Sequence, residues 1–240
     1  MASQSKRIRP QSLIPGRRQS QHIAVQRRLP LALATLRTWQ SERLAVTHQD
    51  LLQHKQFGPA CRFFLTDVYA PQDFSERDED ILHVYQAMKR IMPAPIMRTL
   101  NLVIALNELT NQLDNQLVQV MVDDLQLTDA ITSEMYAEAY RICDNYADRV
   151  RQINLIVDVG GSVNKLVRLP FVGLTLRLAH TPAHLSGWAE LQNFLERGFE
   201  AFKHMKNADP FLNTISQREK KILDQIYAGD AEPFDLHGMM

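Results

Sequence analysis

A chain of 240 residues with 45% apolar side chains can bury a sizeable core, which excludes disorder throughout. Nine glycines against plentiful Leu, Ala, Gln, Glu and Arg exclude the closely spaced turns of a sandwich or barrel and favour helix. The net charge of zero conceals an uneven spread: residues 1–45 hold nine of the 27 basic side chains and one of the 27 acids, so a basic N-terminal part precedes an acidic body.

Residues 1–22 mix Ser, Gln, Pro and Arg without apolar periodicity and read as a disordered arm. Its Arg7, Arg9, Arg17 and Arg18, with Arg27 and Arg28 just beyond, suit nucleic acid or an anionic membrane; they equally suit the acidic body or plain solvent. From about residue 29 to 55, Leu33, Leu36, Trp39, Leu44 and Leu51 recur at near-helical spacing. Gly58-Pro59 breaks that helix, and a second over about 60–69 stops ahead of Pro71. A capping box at Asp73–Glu76 or Ser75–Asp78 predicts a helix with Ile81, Val84, Tyr85 and Met88 as its apolar stripe, closed by Pro93 and Pro95.

A long helix is expected over about 96–125, with Leu102, Leu106, Leu109, Leu113 and Leu117 toward the core. Another arc of it holds Asn107, Asn111 and Asp114 within about 60° of one another, a polar island between apolar turns. Thr128 or Thr132 starts the next helix, which ends at Gly160-Gly161. After a segment rich in Leu and Val, Thr181-Pro182 reads as N-cap and first helical position, ahead of Leu185, Trp188, Leu191, Leu195, Phe199 and Phe202. Ser216–Glu219 reads as a capping box opening a last helix that Gly229 stops. The expectation is an all-α protein: one bundle of about six to eight helices over 23–229, between the arm 1–22 and a flexible tail 230–240.

Signatures of chemistry are sparse. The chain has no P-loop, GxGxxG or GxSxG. No apolar run approaches the roughly 18 residues of a membrane span, and no apolar segment follows the basic N-terminus as in a secretory signal. Cys61 and Cys143 lack CxxC spacing, which fits a reduced, cytoplasmic setting. His180 and His184 are four apart, but the helix start expected at Pro182 separates them; Asp80-x-x-His83 is the nearest approach to a Glu-x-x-His motif. No metal, cofactor or catalytic residue is assigned.

Asp67 stands out, because an acid among Phe63, Phe64, Leu65, Val68 and Tyr69 is costly to bury unpaired. Either it faces an arginine such as Arg62, Arg98 or Arg168, or caps a helix; or, with Tyr69, Asn107, Asn111 and Asp114, it lines a pocket for a small polar or anionic ligand. Arg98 or Arg168 would then supply the cation.

Four stretches, "FFLTDVYAPQDFSERDEDI", "KLVRLP", "LQNFLERGFEAF" and "FLNTISQREKKILDQIYAG", resemble a family of uncharacterised, all-helical proteins of Gram-negative bacteria. The resemblance covers roughly 43–229 and excludes the basic arm; it implies a single helical domain and transfers no catalytic residue. Three functional readings follow. The first is a soluble, non-enzymatic module that binds or regulates a protein partner or self-associates. The second is a bundle with an internal ligand or metal around Asp67 and Asn107–Asp114. The third is a nucleic-acid-associated protein using the arm.

Overall fold

The computed structural model describes the backbone of residues 16–68, 93–185 and 187–236, and the side chains over those ranges from Leu29 onward. Among the described residues the chain is all-α, with nine α-helices and no strand. Residues 1–15 of the expected arm lie outside them, as does the capped helix expected around Ile81–Met88.

Helix α1 (Gly16–Thr47) starts ahead of the apolar periodicity and carries Pro30 within it. Ala32, Leu36 and Gln40, one turn apart, turn inward. Two short helices follow, α2 (Gln49–Gln53) and α3 (Gly58–Phe63), with Pro59 in the first turn of α3, and the chain then widens into a π-helical turn over Phe64–Val68. The long α4 (Ala94–Asp123) has Pro95 in its first turn. Then come α5 (Ser133–Cys143), α6 (Tyr146–Leu166), α7 (Pro170–Leu185), α8 (Ala189–Met205) and α9 (Asp209–Ala228).

Helix α6 lies between α4 and α9, while α1 packs on α4 and α5 on both α4 and α9. Leu36, Leu117, Met121, Tyr136, Ile222 and Ile226 meet in one core. A second joins α3, α8 and the start of α9 through Ala60, Cys61, Phe202, Met205, Phe211 and Leu212. Burying each large apolar side chain there stabilises by about 1.5–3 kcal/mol. No described helix is long and apolar enough to cross a membrane.

Several boundaries differ from expectation. The helix expected to run from Thr132 to Gly160 is broken at Asp144, whose left-handed backbone (φ 47) closes α5. Thr132 does cap α5, its Oγ1 accepting from the Met135 N–H at 3.2 Å. Helix α6 then runs straight through Gly160-Gly161. Gly160 is there because α9 crosses it: a Cβ would lie 2.5 Å from Leu212 Cδ2, whereas one on Gly161 meets nothing within 4 Å. Gly161→Ala is therefore expected to stabilise by about 0.5–1 kcal/mol through helix propensity. Gly160→Ala should destabilise by about 1–3 kcal/mol through overpacking, and urea unfolding of the pair reads the difference in sign.

Thr181-Pro182 does not start a helix. Both lie inside α7, and the break comes at Gly187 (φ 85). The bond that Pro182 deletes is to the carbonyl of Leu178, a residue 69% exposed, so solvent can take its place. Likewise Ser216 and Glu219 fall in the middle of α9, which opens at Asp209-Pro210 and ends, as expected, at Gly229. Beyond it Phe234 packs edge-on against Trp39 at 5.5 Å, and Gln225 Nε2 donates to the Asp235 carbonyl at 3.1 Å.

Candidate functional site

Several helices place a polar residue where their apolar stripe would take a hydrophobic one. On α9, Glu219 precedes Ile222, Leu223 and Ile226 by three, four and seven positions, so its carboxylate enters the core. On α6, Arg149 stands four before Ile153 and seven before Ile156, and it is 2% exposed. Helix α4 contributes Asp114 beside Leu113 and Leu117; α1 contributes Gln40 and Arg43, with His48 just past its end. These residues surround a cavity of about 110 Å³ between α1, α4, α5, α6 and α9, lined also by Phe64 and Leu65 of the π-helical turn.

The cavity is electrostatically lopsided. On one side Arg43 Nη1 donates to both oxygens of Glu219, at 2.7 and 2.6 Å, and His48 Nε2 meets the same carboxylate at 2.9 Å. Burial pushes the Glu219 carboxyl up, but Arg43 and His48 outweigh it and hold the group at about 2. On the other side Arg149 has no carboxylate within 4 Å among the described residues. It donates to the Leu113 carbonyl and to Gln152 Oε1, both at 3.2 Å, and lies over the Tyr140 ring at 4.3 Å. Asp114, also buried, accepts from Gln40 Nε2 at 3.2 Å. Burial raises its carboxyl, with Arg149 and Gln40 opposing, which lowers the negative charge available to Arg149.

Three buried polar atoms of the lining have no hydrogen-bond partner among the described residues: Arg43 Nε, Arg149 Nε and His48 Nδ1. Such groups cost about 1–3 kcal/mol each when nothing satisfies them, and the two arginine Nε–H groups at one cavity are donors that an acceptor would satisfy. The thiol of Cys61, which also lines the cavity, is pushed up to about 11 by burial with Asp50 adding to the effect, so it stays protonated at neutral pH.

Of the residues singled out from the sequence, Asp114 lines this cavity. Asn111 is half-buried and accepts from Arg37 Nη2 at 3.2 Å; Asn107 and Arg98 are exposed; Tyr69 lies outside the described residues. The polar island is thus split between an α1 contact and solvent; the arginines on this cavity are Arg43 and Arg149, and neither Arg98 nor Arg168 lines it. Arg168 is exposed and donates to Asn164 Oδ1 at 3.4 Å and to the Lys206 carbonyl.

Asp67 does face an arginine, on a helix that the sequence reading did not name. Arg197 of α8 donates from Nε to Asp67 Oδ1 at 2.7 Å, and Thr66 Oγ1 donates to Oδ2 at 2.9 Å. The Asp67 side chain is 10% exposed but that of Arg197 is 53%, so solvent screens the pair. Asp67→Asn should therefore cost about 1–2 kcal/mol, less than a fully buried pair would. Arg197→Met should cost a similar amount and the double variant little more, as urea unfolding can measure; a single variant as stable as wild type would remove the structural role.

The rings of the α7 histidines lie side by side, centroids 4.4 Å apart and tilted by 35°; His180 Nδ1 meets Glu196 Oε1 at 3.0 Å and His184 Nε2 meets Asn193 Oδ1 at 3.2 Å. No group of three or more His, Cys, Asp or Glu among the described residues is arranged to hold a metal ion. Of the arm arginines, Arg17, Arg18, Arg27 and Arg28 fall on the first half of α1, and Arg7 and Arg9 lie outside the described residues.

A family model described as a domain of unknown function (DUF8198) matches residues 18–233. It therefore takes in almost all of α1, which the resemblance seen in the sequence, beginning near Arg43, left out. No curated protein and no solved structure matches the chain.

Proposed function

Because the chain belongs to the DUF8198 family, whose description names no activity, we propose a function from the geometry: the bundle binds a small anion in the cavity beside Arg149. The observation that carries this reading is a guanidinium 2% exposed, with no carboxylate of the described residues within 4 Å, on the wall of a cavity. A buried charge is retained at high cost unless something compensates it, and an anionic ligand would do so at each binding event. Acetate, one carboxylate with almost no body, is the probe. It is expected to raise the melting temperature with concentration by linkage, while neutral acetamide does not. Arg149→Met should lose the response, with affinity lower by at least about tenfold, the value of one charge-assisted hydrogen bond. Equal shifts from acetate and acetamide would refute the proposal.

A second reading, self-association, is favoured by α7. None of its residues is buried, and Phe171, Leu174, Leu178 and Leu185 expose an apolar stripe along one face. Arg177 is the one Arg, Lys, Asp or Glu in its sixteen residues, so two copies meeting there bring little like charge together. Sedimentation should then show a dimer that Leu178→Glu converts to monomer; a wild-type monomer would end this reading.

A further inference from the structure

Resting on the anion-binding reading, a second feature narrows the ligand. The inner cavity of about 110 Å³ lies well below the roughly 300–1,000 Å³ of ordinary small-molecule sites. Next to it is a surface groove of about 410 Å³ with Trp39, Val46, Phe234 and Leu236 as its apolar walls, and with Arg218 and the carboxylates Glu42 and Asp235 among its polar lining. The two share a wall. Arg43 lines both volumes, and Tyr136 of the cavity stacks on Trp39 of the groove with ring centroids 4.1 Å apart. Two contacts, the Arg43–Glu219 pair and the Trp39–Tyr136 stack, each join a residue of the groove to one of the cavity.

We infer that cavity and groove are two halves of one site, and that its ligand is a monoanionic carboxylic acid with an aromatic or branched aliphatic body. The head would reach Arg149 past Arg43, whose Nε is one of the orphaned donors, and the body would rest on Trp39, Val46 and Phe234. Charge sets the number of negative groups. Arg43 is matched by Glu219, while Arg149 has no carboxylate of the described residues within 4 Å; a dianion would in addition meet the carboxylates of Glu219 in the cavity and of Glu42 and Asp235 in the groove. The groove sets the body, since apolar walls beside a buried cation select amphipathic molecules over inorganic ions.

The test uses the full chain with Trp188→Phe, so that Trp39 is the sole tryptophan. Acetate, 3-phenylpropionate, 3-phenylpropanamide and inorganic phosphate are titrated, reading melting temperature and Trp39 emission. The expected result is that 3-phenylpropionate binds at least about tenfold more tightly than acetate and changes Trp39 emission, the gain of one apolar body buried. Acetate should raise the melting temperature without altering emission, and the amide should do neither. Val46 is 77% exposed, so Val46→Asp leaves the fold intact; it should weaken 3-phenylpropionate severalfold and leave acetate unchanged. If 3-phenylpropionate binds no better than acetate and Trp39 does not respond, the two-part site is refuted while the anion cavity stands. If no carboxylate binds, both fall. Tighter binding of phosphate than of either carboxylate would overturn the monoanion assignment.

Discussion

Glu219→Gln is expected to lower the unfolding free energy by about 3–5 kcal/mol, the largest effect of any single substitution proposed for this chain. The reason is what it strands. Arg43 gives two short hydrogen bonds to Glu219, and the two side chains are only 14% and 13% exposed. The amide keeps one oxygen, able to accept from Arg43 Nη1 and His48 Nε2 where Oε1 does now, but its –NH₂ would face Arg43 Nη1 where Oε2 accepts at 2.6 Å, and the negative charge that both groups face is gone. The stranded cation carries the cost, so removing it should recover much of the loss. Arg43→Met in the Glu219→Gln background is expected to be clearly more stable than Glu219→Gln alone, and a double-mutant cycle in urea should give a coupling above about 2 kcal/mol. Coupling near zero would mean that solvent satisfies both groups and that the cavity wall is not held by this pair.

The same residue shows how much of this molecule is legible in its sequence. Thr132 as a cap and Gly229 as a stop are local facts, decided by backbone groups within a few residues, and both hold. Ser216-x-x-Glu219 satisfies an equally local rule, yet the structure uses neither residue as a cap. Glu219 fits a second pattern at the same time, three, four and seven positions ahead of Ile222, Leu223 and Ile226, and tertiary burial decides between the two. The stripe signal that exposed Asp114 was equally present for Arg149, four and seven ahead of Ile153 and Ile156. A charged residue at an apolar period is the common mark of the site, and it is readable in advance. Two features are not. The partner of Asp67 is 130 residues away on α8, and the reason for Gly160 is a leucine on α9; both depend on which helices cross, which no local window contains.

Acidification should uncover the two carboxylates of the cavity in opposite directions. The folded Glu219 carboxyl titrates at about 2, below its ordinary 4.5, so its contribution is whole above about pH 4.5 and is lost as the pH falls toward 2. A displacement of that size corresponds to about 3 kcal/mol, and Glu219→Gln should remove this part of the acid limb. Asp114 has the reverse sign. Burial raises it above its ordinary 3.8, so folding favours its protonated form, and its contribution is whole below pH 3.8 and declines as the pH rises through its folded value. Asp114→Asn, which keeps an oxygen to accept from Gln40, should therefore be neutral or stabilising at pH 7, by up to about 1 kcal/mol. It should also strengthen anion binding, because it removes the one carboxylate that competes for the field of Arg149. Urea unfolding from pH 7 down to pH 2.5 on wild type and both variants separates the two. An Asp114→Asn protein less stable than wild type at neutral pH, with anion affinity unchanged, would make Asp114 the counter-ion of Arg149 and close the cavity to any other.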